Sequence, residues 1–265
     1  MKLAIVTDEI SLDFATAVEL GTDWGITNFE IRSLASGRIP YVSEAELKRL
    51  FSIVSSSDIV ISALSPGAFK VPLDSPEAER QIGDMLPRTY ELAHKLGVST
   101  VIIFGFRKEG TERTPPIDGI AEILHRVSEG ARSEGITLML ENEPVCWADT
   151  GVRTAEIVRR VSHPNLRINW DPCNSFCAGG KPYPEEYDLL KDLIGHLHVK
   201  DARRSGGGYE MAPVGEGEIG WREQLRSLLR DGFNGYYTVE THYGPKVKAS
   251  KRCVDNLKDL IIEIS

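Results

Sequence analysis

The stretch GHLHVK, residues 195–200, alternates polar and apolar side chains after its first residue. Because successive residues of a β-strand point to opposite faces, the alternation predicts a strand with His196 and His198 on one face. Leu197 and Val199 lie on the other face, which is apolar and suited to a cover of helices. The fold then depends on how often such a strand recurs along the chain.

Short β-branched runs of this kind alternate with longer stretches of helical period from one end of the chain to the other. The predicted strands cover residues 3–7, 28–32, 59–64, 100–106, 136–141, 166–171, 195–200 and 236–240. Eight strand–helix units without a Pro/Gly-rich linker predict an α/β protein, a single (β/α)8 TIM barrel domain over residues 1–265. A doubly wound open sheet is disfavoured, because no GxGxxG motif follows the first strand.

Local signals predict three further features. The helix predicted over 43–55 begins at Ser43 and has Glu46 three positions later, the spacing of a capping box. The helix predicted over 75–97 contains Pro87, which should kink it. The glycine-rich tract 203–210 is interpreted as a mobile loop and not as a phosphate cradle, because no helix start follows it.

Composition limits the possible partners. The 31 Lys+Arg and 39 Asp+Glu residues give a formal charge of −8, which argues against a nucleic-acid partner. No apolar run is long enough for a signal peptide or a membrane span, so we expect a cytoplasmic protein without a membrane partner. The four cysteines contain no CxxC pair, and we expect reduced thiols without assigned chemistry.

The second half of the chain places ionisable residues at successive strand ends. Strands five to eight carry Glu141, Asp171, His198 and Glu240 in turn. Active sites of such barrels lie at the carboxyl ends of the strands, so these four side chains are expected to meet. Strand parity agrees with this expectation, because each of these residues shares the inward face of its strand with the residue two positions earlier. In strand seven this places His196 on the same face as His198 but one layer deeper, roughly 6.6 Å along the strand.

Three carboxylates and one imidazole are the ligands of a hard or borderline divalent ion. We expect one Mn²⁺ or Mg²⁺ ion, with Co²⁺ tolerated and zinc less favoured. The alternative is four separate buried polar residues that are satisfied by backbone or by Arg and Lys partners. The metal is favoured, because the acids would repel one another without a cation.

Five segments resemble the xylose isomerase-like family of TIM barrels, which includes sugar isomerases, ketose 3-epimerases and inosose dehydratases. They are LMLENEP (138–144), INWDPCNSF (168–176), GHLHVKDA (195–202), PVGEGEIGW (213–221) and YTVETH (237–242). The resemblance implies that Glu141, Asp171, His198 and Glu240 bind the metal. It further implies that Glu141 and Glu240 are the catalytic acid/base pair, acting on a ketose or keto-sugar through an enediolate.

The resemblance suggests Asn174 and Arg204 as substrate contacts, and positions at the strand ends add Lys200, His242 and Trp147, each with a simpler alternative. Asn174 stands where many ketose epimerases have a histidine, and this difference weakens the assignment of the chain as a ketose 3-epimerase. Arg204 and its neighbour Arg203 could equally be a solvated basic loop, and Lys200 could form a salt bridge with Glu240 or Asp171. Glu30 and Arg32, at the end of strand two, are expected to pair with each other.

Several functions remain open. A metal-dependent sugar isomerase or epimerase is favoured over a lyase or dehydratase that acts on a keto-inositol, 3-dehydroshikimate or a 3-keto-glycoside. A non-catalytic sugar-binding barrel is the alternative outside enzymes. An abasic-site endonuclease is disfavoured, because the chain has only six histidines and is acidic. The resemblance implies a small sugar as partner and allows a homo-oligomer.

Overall fold

The computed structural model describes residues 1–110 and 114–264. Eight parallel strands close into a barrel in chain order, with the first strand paired to the last. We number the barrel strands as follows: β1 Lys2–Val6, β2 Asn28–Ile31, β3 Val60–Ala68, β4 Thr100–Phe104, β5 Thr137–Glu141, β6 Leu166–Trp170, β7 Ile194–Val199 and β8 Tyr236–Val239. The predicted α/β TIM barrel is confirmed.

Helices follow the strands and form the outer layer of the barrel. The α-helices are Phe14–Asp23, Glu44–Ser56, Pro76–Arg80, Leu86–Leu96, Ile117–Ser133, Gly151–Val161, Pro172–Cys177, Tyr187–Leu190, Trp221–Arg230 and Lys246–Ile264. In the described part of the chain, none of the helices is long and apolar enough to cross a membrane. All four cysteines are free.

Two helix predictions gain detail from the structure. Ser43 caps its helix by accepting a hydrogen bond from the backbone N–H of Glu46 at 3.3 Å. The capping box is otherwise wrong, because the Glu46 carboxylate binds the backbone N–H groups of Ala35 and Ser36 instead. The helix with Pro87 carries a π turn over Gln81–Met85, which ends two residues before the proline that cannot donate a backbone hydrogen bond.

The glycine-rich tract is a β-hairpin, and the prediction of a mobile loop is wrong. Strand Asp201–Ser205 pairs antiparallel with Gly208–Ala212. Gly206 and Gly207 form the two-residue turn with φ of +55° and +82°, the left-handed conformations that a tight hairpin turn requires. The prediction failed because residues 203–210 are mostly polar or glycine, a composition typical of loops. The pairing of the two strands is visible only in the structure. We call this element the mouth hairpin.

Strand parity agrees with the predicted faces of the barrel. Leu140, Trp170 and Leu197 belong to the main core between barrel and helices. Met139 instead contacts Ala63 and Ile102 in a small separate cluster inside the barrel. Polar residues fill the next layers of the interior, which places the ionisable side chains at the carboxyl-end mouth.

Candidate metal centre

Four side chains from successive strands converge at the mouth of the barrel. Glu141 ends β5, Asp171 follows β6, His198 lies in β7 and Glu240 follows β8. One potential ligand atom from each lies within 4.8 Å of those of the other three, and all four residues are buried. The parallel strands bring together residues that are far apart in sequence, as their strand-end positions predicted.

The imidazole of His198 points one nitrogen into this cluster. Its Nδ1 lies 3.5 Å from Oε1 of Glu141 and 3.4 Å from Oε2 of Glu240. Among the described residues, this nitrogen has no hydrogen-bond partner although it is buried, whereas Oδ2 of Asp171 is paired with the Lys200 ammonium. Buried polar atoms without partners are rare in folded proteins, and this one lies among the carboxylates of the cluster. The residues therefore fit a bound cation.

The other imidazole nitrogen of His198 is held by a residue that sequence reasoning assigned elsewhere. Oε2 of Glu30 lies 3.0 Å from Nε2 of His198 and 3.2 Å from Nε2 of His196. Burial raises the pKa of Glu30, but His198 and His196 outweigh it and lower the pKa to about 2. The expected pair of Glu30 with Arg32 is wrong, because Glu30 points into the barrel and Arg32 reaches across its mouth.

Arg32 is surrounded by three acids from two neighbouring segments. Its Nη2 lies 2.9 Å from Oδ2 of Asp8 and 2.7 Å from Oε1 of Glu9, and its Nη1 binds Glu240. His242 also contacts Glu240, with 2.9 Å between Nε2 and Oε1. The structure thus brings His242 to the cluster, and Arg32 holds the Glu240 carboxylate in place.

Lys200 forms the salt bridges that the sequence suggested as an alternative to a substrate contact. Its Nζ lies 2.9 Å from Oδ2 of Asp171 and 2.7 Å from Oε2 of Glu240. Burial disfavours the ammonium, but Asp171 and Glu240 outweigh it and raise the pKa of Lys200 well above its usual value. Lys200 therefore stays charged between two candidate ligands.

The mouth nevertheless holds more negative than positive charge. Its buried carboxylates are Asp8, Glu9, Glu30, Glu141, Asp171 and Glu240. The cations paired with them are Arg32, Lys200 and the imidazolium of His198. Burial disfavours this imidazolium, but Glu30, Glu141 and Glu240 outweigh burial and raise its pKa well above the usual value. Burial, together with repulsion from Glu240 and Glu141, raises the pKa of Asp171 to about 6 despite the nearby Lys200. A divalent cation would offset this repulsion.

Two amides position Glu141. Nδ2 of Asn169 lies 3.2 Å from Oε2 of Glu141, and Nδ2 of Asn174 lies 3.3 Å from Oε1. Asn174 also donates to the carbonyl of Asn142 at 2.8 Å. The amide nitrogen of Asn174 is thus engaged with the protein, next to the candidate ligand.

Two other predicted substrate contacts lie outside these interactions. Arg204 is on the mouth hairpin, where its Nη1 lies 2.8 Å from Oε2 of Glu218 and its guanidinium stacks 4.5 Å from the centre of the Phe176 ring. Trp147 is buried and borders two surface cavities, one lined also by Arg107 and the other by Lys108. Neither residue contacts the four-residue cluster through an observed hydrogen bond or ion pair.

A closed parallel barrel with acids and a histidine at its carboxyl-end mouth defines a TIM barrel with a candidate metal centre. A family model described as xylose isomerase-like TIM barrel matches residues 17–260. The chain belongs to the xylose isomerase-like TIM barrel family.

Relatives of this chain include enzymes with different reactions. It is 26% identical over 240 residues to fructoselysine 3-epimerase of Escherichia coli O157:H7, covering 86% of this chain and 83% of the relative. The structure of a probable 3-DHS dehydratase of Bacillus anthracis superposes with a TM-score of 0.81 at 18% identity, covering 97% of this chain and 99% of that one. The IolI protein, solved with a bound zinc atom, gives a TM-score of 0.80 at 22% identity, covering 100% and 98%.

Proposed function

We propose that this protein is a divalent-metal-dependent isomerase or epimerase of a ketose or keto-sugar, with residues 1–265 as one catalytic domain. The observation that carries the proposal is the buried cluster of Glu141, Asp171, His198 and Glu240, whose ligand atoms lie within 4.8 Å of one another. The likeness to fructoselysine 3-epimerase supports the reaction class.

The four cluster residues would hold the ion. Their oxygen-rich set, with one imidazole and no sulfur, favours Mn²⁺ or Mg²⁺ and accepts Co²⁺. The zinc in the IolI protein makes zinc the competitor to compare in binding experiments. When bound, such an ion supplies Lewis-acid polarisation of a substrate carbonyl and its neighbouring hydroxyl. The C–H on the hydroxyl-bearing carbon next to the carbonyl then becomes acidic.

Glu141 and Glu240 are the proposed acid/base pair. Burial disfavours the charged form of Glu240, but Lys200 and His242 outweigh it and hold its pKa well below the usual value, so it is a carboxylate. Asn169 and Asn174 orient Glu141. One carboxylate removes the proton and the other returns it. Return to the opposite face of the same carbon gives an epimer, and return to the neighbouring carbon gives an aldose.

The remaining predicted residues are proposed as substrate contacts. His242 is 39% exposed at its side chain and adjoins Glu240, which gives it access to both solvent and the proposed acid/base group. Lys200 carries an ammonium that can donate to a substrate oxygen as well as to its two acids. Asn174, which adjoins Glu141, is proposed to contact a substrate hydroxyl, and Arg204 and Trp147 to contact parts of the substrate farther from the reacting carbon.

A lyase or dehydratase is the second candidate. It is favoured by the likeness to the probable 3-DHS dehydratase, whose fold covers nearly the whole chain. Both reactions begin with removal of a proton next to a carbonyl, and they differ in whether a group on the following carbon departs. A sugar-binding barrel without catalysis is the third candidate.

Solvent exchange in D₂O distinguishes these functions. The protein loaded with Mn²⁺ or Mg²⁺ is incubated with ketoses, keto-inositols, 3-keto-glycosides and 3-dehydroshikimate and followed by NMR. We expect deuterium at the carbon next to the carbonyl without loss of water, and we expect a chelator to abolish it. Loss of water or of an aglycone would identify a lyase. Exchange that persists in protein shown to be metal-free would contradict the metal-dependent reaction, and binding without exchange would indicate the sugar-binding barrel.

A further inference from the structure

Arg38 lies in a short hairpin at the mouth of the barrel, and its guanidinium makes two hydrogen bonds within the described residues. The strand Gly37–Arg38 pairs with Ser33–Leu34, directly after β2. Nε of Arg38 donates to the backbone oxygen of Ser65 at 3.1 Å, and Nη2 donates to its hydroxyl at 3.3 Å. A guanidinium has five N–H groups, so these two bonds leave part of its hydrogen-bonding edge unused.

The contrast with Arg32 shows what Arg38 lacks. Arg32 pairs with Asp8, Glu9 and Glu240. Within residues 1–110 and 114–264, Arg38 forms no ion pair with a carboxylate, and its hydrogen bonds go to Ser65. A partly buried cation without a counter-ion is costly, because it loses hydration without gaining an opposite charge.

The hydrogen bonds to Ser65, in the carboxyl-end half of β3, place the Arg38 guanidinium at the mouth of the barrel. Burial and repulsion from Arg32 lower the pKa of Arg38, and attraction from Glu141 and Asp8 opposes this change. The backbone also makes room for the side chain. Gly67 has φ of +83°, and a Cβ at that position would lie 2.8 Å from Nε of Arg38. A side chain at residue 67 would therefore displace the arginine.

We propose that Arg38 binds an anionic substituent of the substrate, a carboxylate or a phosphate. This inference rests on the proposed function and narrows its substrate to a keto-acid or a sugar phosphate. The unused N–H groups of a guanidinium suit the oxygens of both anions, and Arg binds them through paired hydrogen bonds. The substrate would extend from the acids of β5 to β8 across the mouth to the hairpin that follows β2.

Anion binding tests the role of Arg38 independently of turnover. Titration calorimetry with malonate and with inorganic phosphate is carried out on the metal-loaded full chain and its Arg38→Met and Arg38→Lys variants. We expect Arg38→Met to weaken binding of at least one anion by about 10- to 100-fold, the usual effect of losing a hydrogen-bonded charge. Arg38→Lys should fall between, because it keeps the charge and loses the planar fork.

The control is Arg203→Met on the mouth hairpin, where the side chain is 51% exposed and pairs with Glu210. Its anion affinity should equal that of the wild type. Thermal unfolding followed by circular dichroism shows whether each variant is folded. Equal affinity of the wild type and the folded Arg38 variants for both anions, or a wild type that binds neither, would overturn the inference.

Matched substrates then identify the anion. Deuterium exchange is compared for a neutral ketohexose, its 6-phosphate and the corresponding keto-aldonate. We expect the wild type to prefer one charged substrate, and Arg38→Met to raise KM for it by about 10- to 100-fold while exchange on the neutral ketose falls much less. Equal losses on neutral and charged substrates would contradict a role in anion binding. Absence of exchange with every substrate would count against the proposed function, and the calorimetry would still decide on Arg38.

Discussion

The two halves of the barrel mouth use charge differently. The half formed by β5 to β8 gathers three acids and a histidine around one point, and Nδ1 of the histidine is buried without a hydrogen-bond partner among the described residues. The half that begins with β1 and β2 contributes Arg32, which three acids neutralise, and Arg38, which has no paired acid among the described residues. We propose that the first half holds a cation and moves a proton, and that the second half orients these groups and binds an anionic part of the substrate.

The comparison also shows that the halves are connected through the barrel interior. Glu30 projects from β2 into the barrel and contacts both histidines of β7. The His198 imidazole, which faces the acids of β5 to β8, is therefore fixed by a carboxylate from the other half. A histidine that binds a metal commonly donates its other N–H to a carboxylate, which fixes its orientation. A substitution at Glu30 should therefore alter the candidate metal centre in the other half.

The largest effect is expected for Glu240→Gln, in the half formed by β5 to β8. The amide cannot take up a proton, so turnover should fall by roughly 10²- to 10⁴-fold or more, the range for loss of an acid/base group. The measurement is kcat for deuterium exchange, with circular dichroism to verify the fold. Glu210→Gln is the matched control, because Glu210 is exposed on the mouth hairpin and pairs with Arg203. Unchanged turnover in Glu240→Gln would remove this residue from the acid/base role.

A smaller effect is expected for Glu30→Gln, which removes the carboxylate that joins β2 to the histidines of β7. The amide keeps the shape of the side chain and loses the charge that orients His198, so the affinity for Mn²⁺ should fall by about 10- to 100-fold. Calorimetric titration of the metal-free protein with Mn²⁺ measures this directly, without reference to turnover. Glu216→Gln is the control, since Glu216 pairs with Arg252 at the surface. Equal Mn²⁺ affinity in wild type and Glu30→Gln would show that Glu30 serves only to pack the interior.

The smallest effect is expected for Arg204→Met, outside both halves on the mouth hairpin. The Arg204 side chain is 64% exposed, and exposed ion pairs such as the one with Glu218 contribute little. We expect KM to rise less than about tenfold with kcat unchanged, as for a peripheral contact whose charge is largely hydrated. A fall in kcat as large as that of Glu240→Gln would place Arg204 at the reacting atoms and change the division between the halves.

Much of the barrel and the position of the acid cluster follow from local sequence. The alternation in GHLHVK and similar runs predicts strands, and strand parity predicts which side chains point inward. Strand ends gave the positions of Glu141, Asp171, His198 and Glu240, and the structure brings the four together. Their roles as metal ligands stay a prediction until binding is measured.

Other contacts could not be read from the sequence. The hairpin at Gly206 and Gly207 depends on pairing between two polar strands, and such strands lack the hydrophobic alternation that makes strands recognisable. The Glu46 carboxylate was expected to close a capping box, but a neighbouring loop supplies two competing backbone donors. In both places, a nearby segment changed the outcome that the local pattern favoured.

The sequence by itself determined the strand–helix order and the face of each strand, because both depend on periods of two and 3.6 residues along the chain. Only the tertiary structure decided the partners of Glu30, Arg32 and Arg38. Glu30 meets His198 at a separation of 168 residues, and this contact exists only because the ring of strands closes. Closure and strand stagger set which inward side chains share a layer, and no local period encodes them.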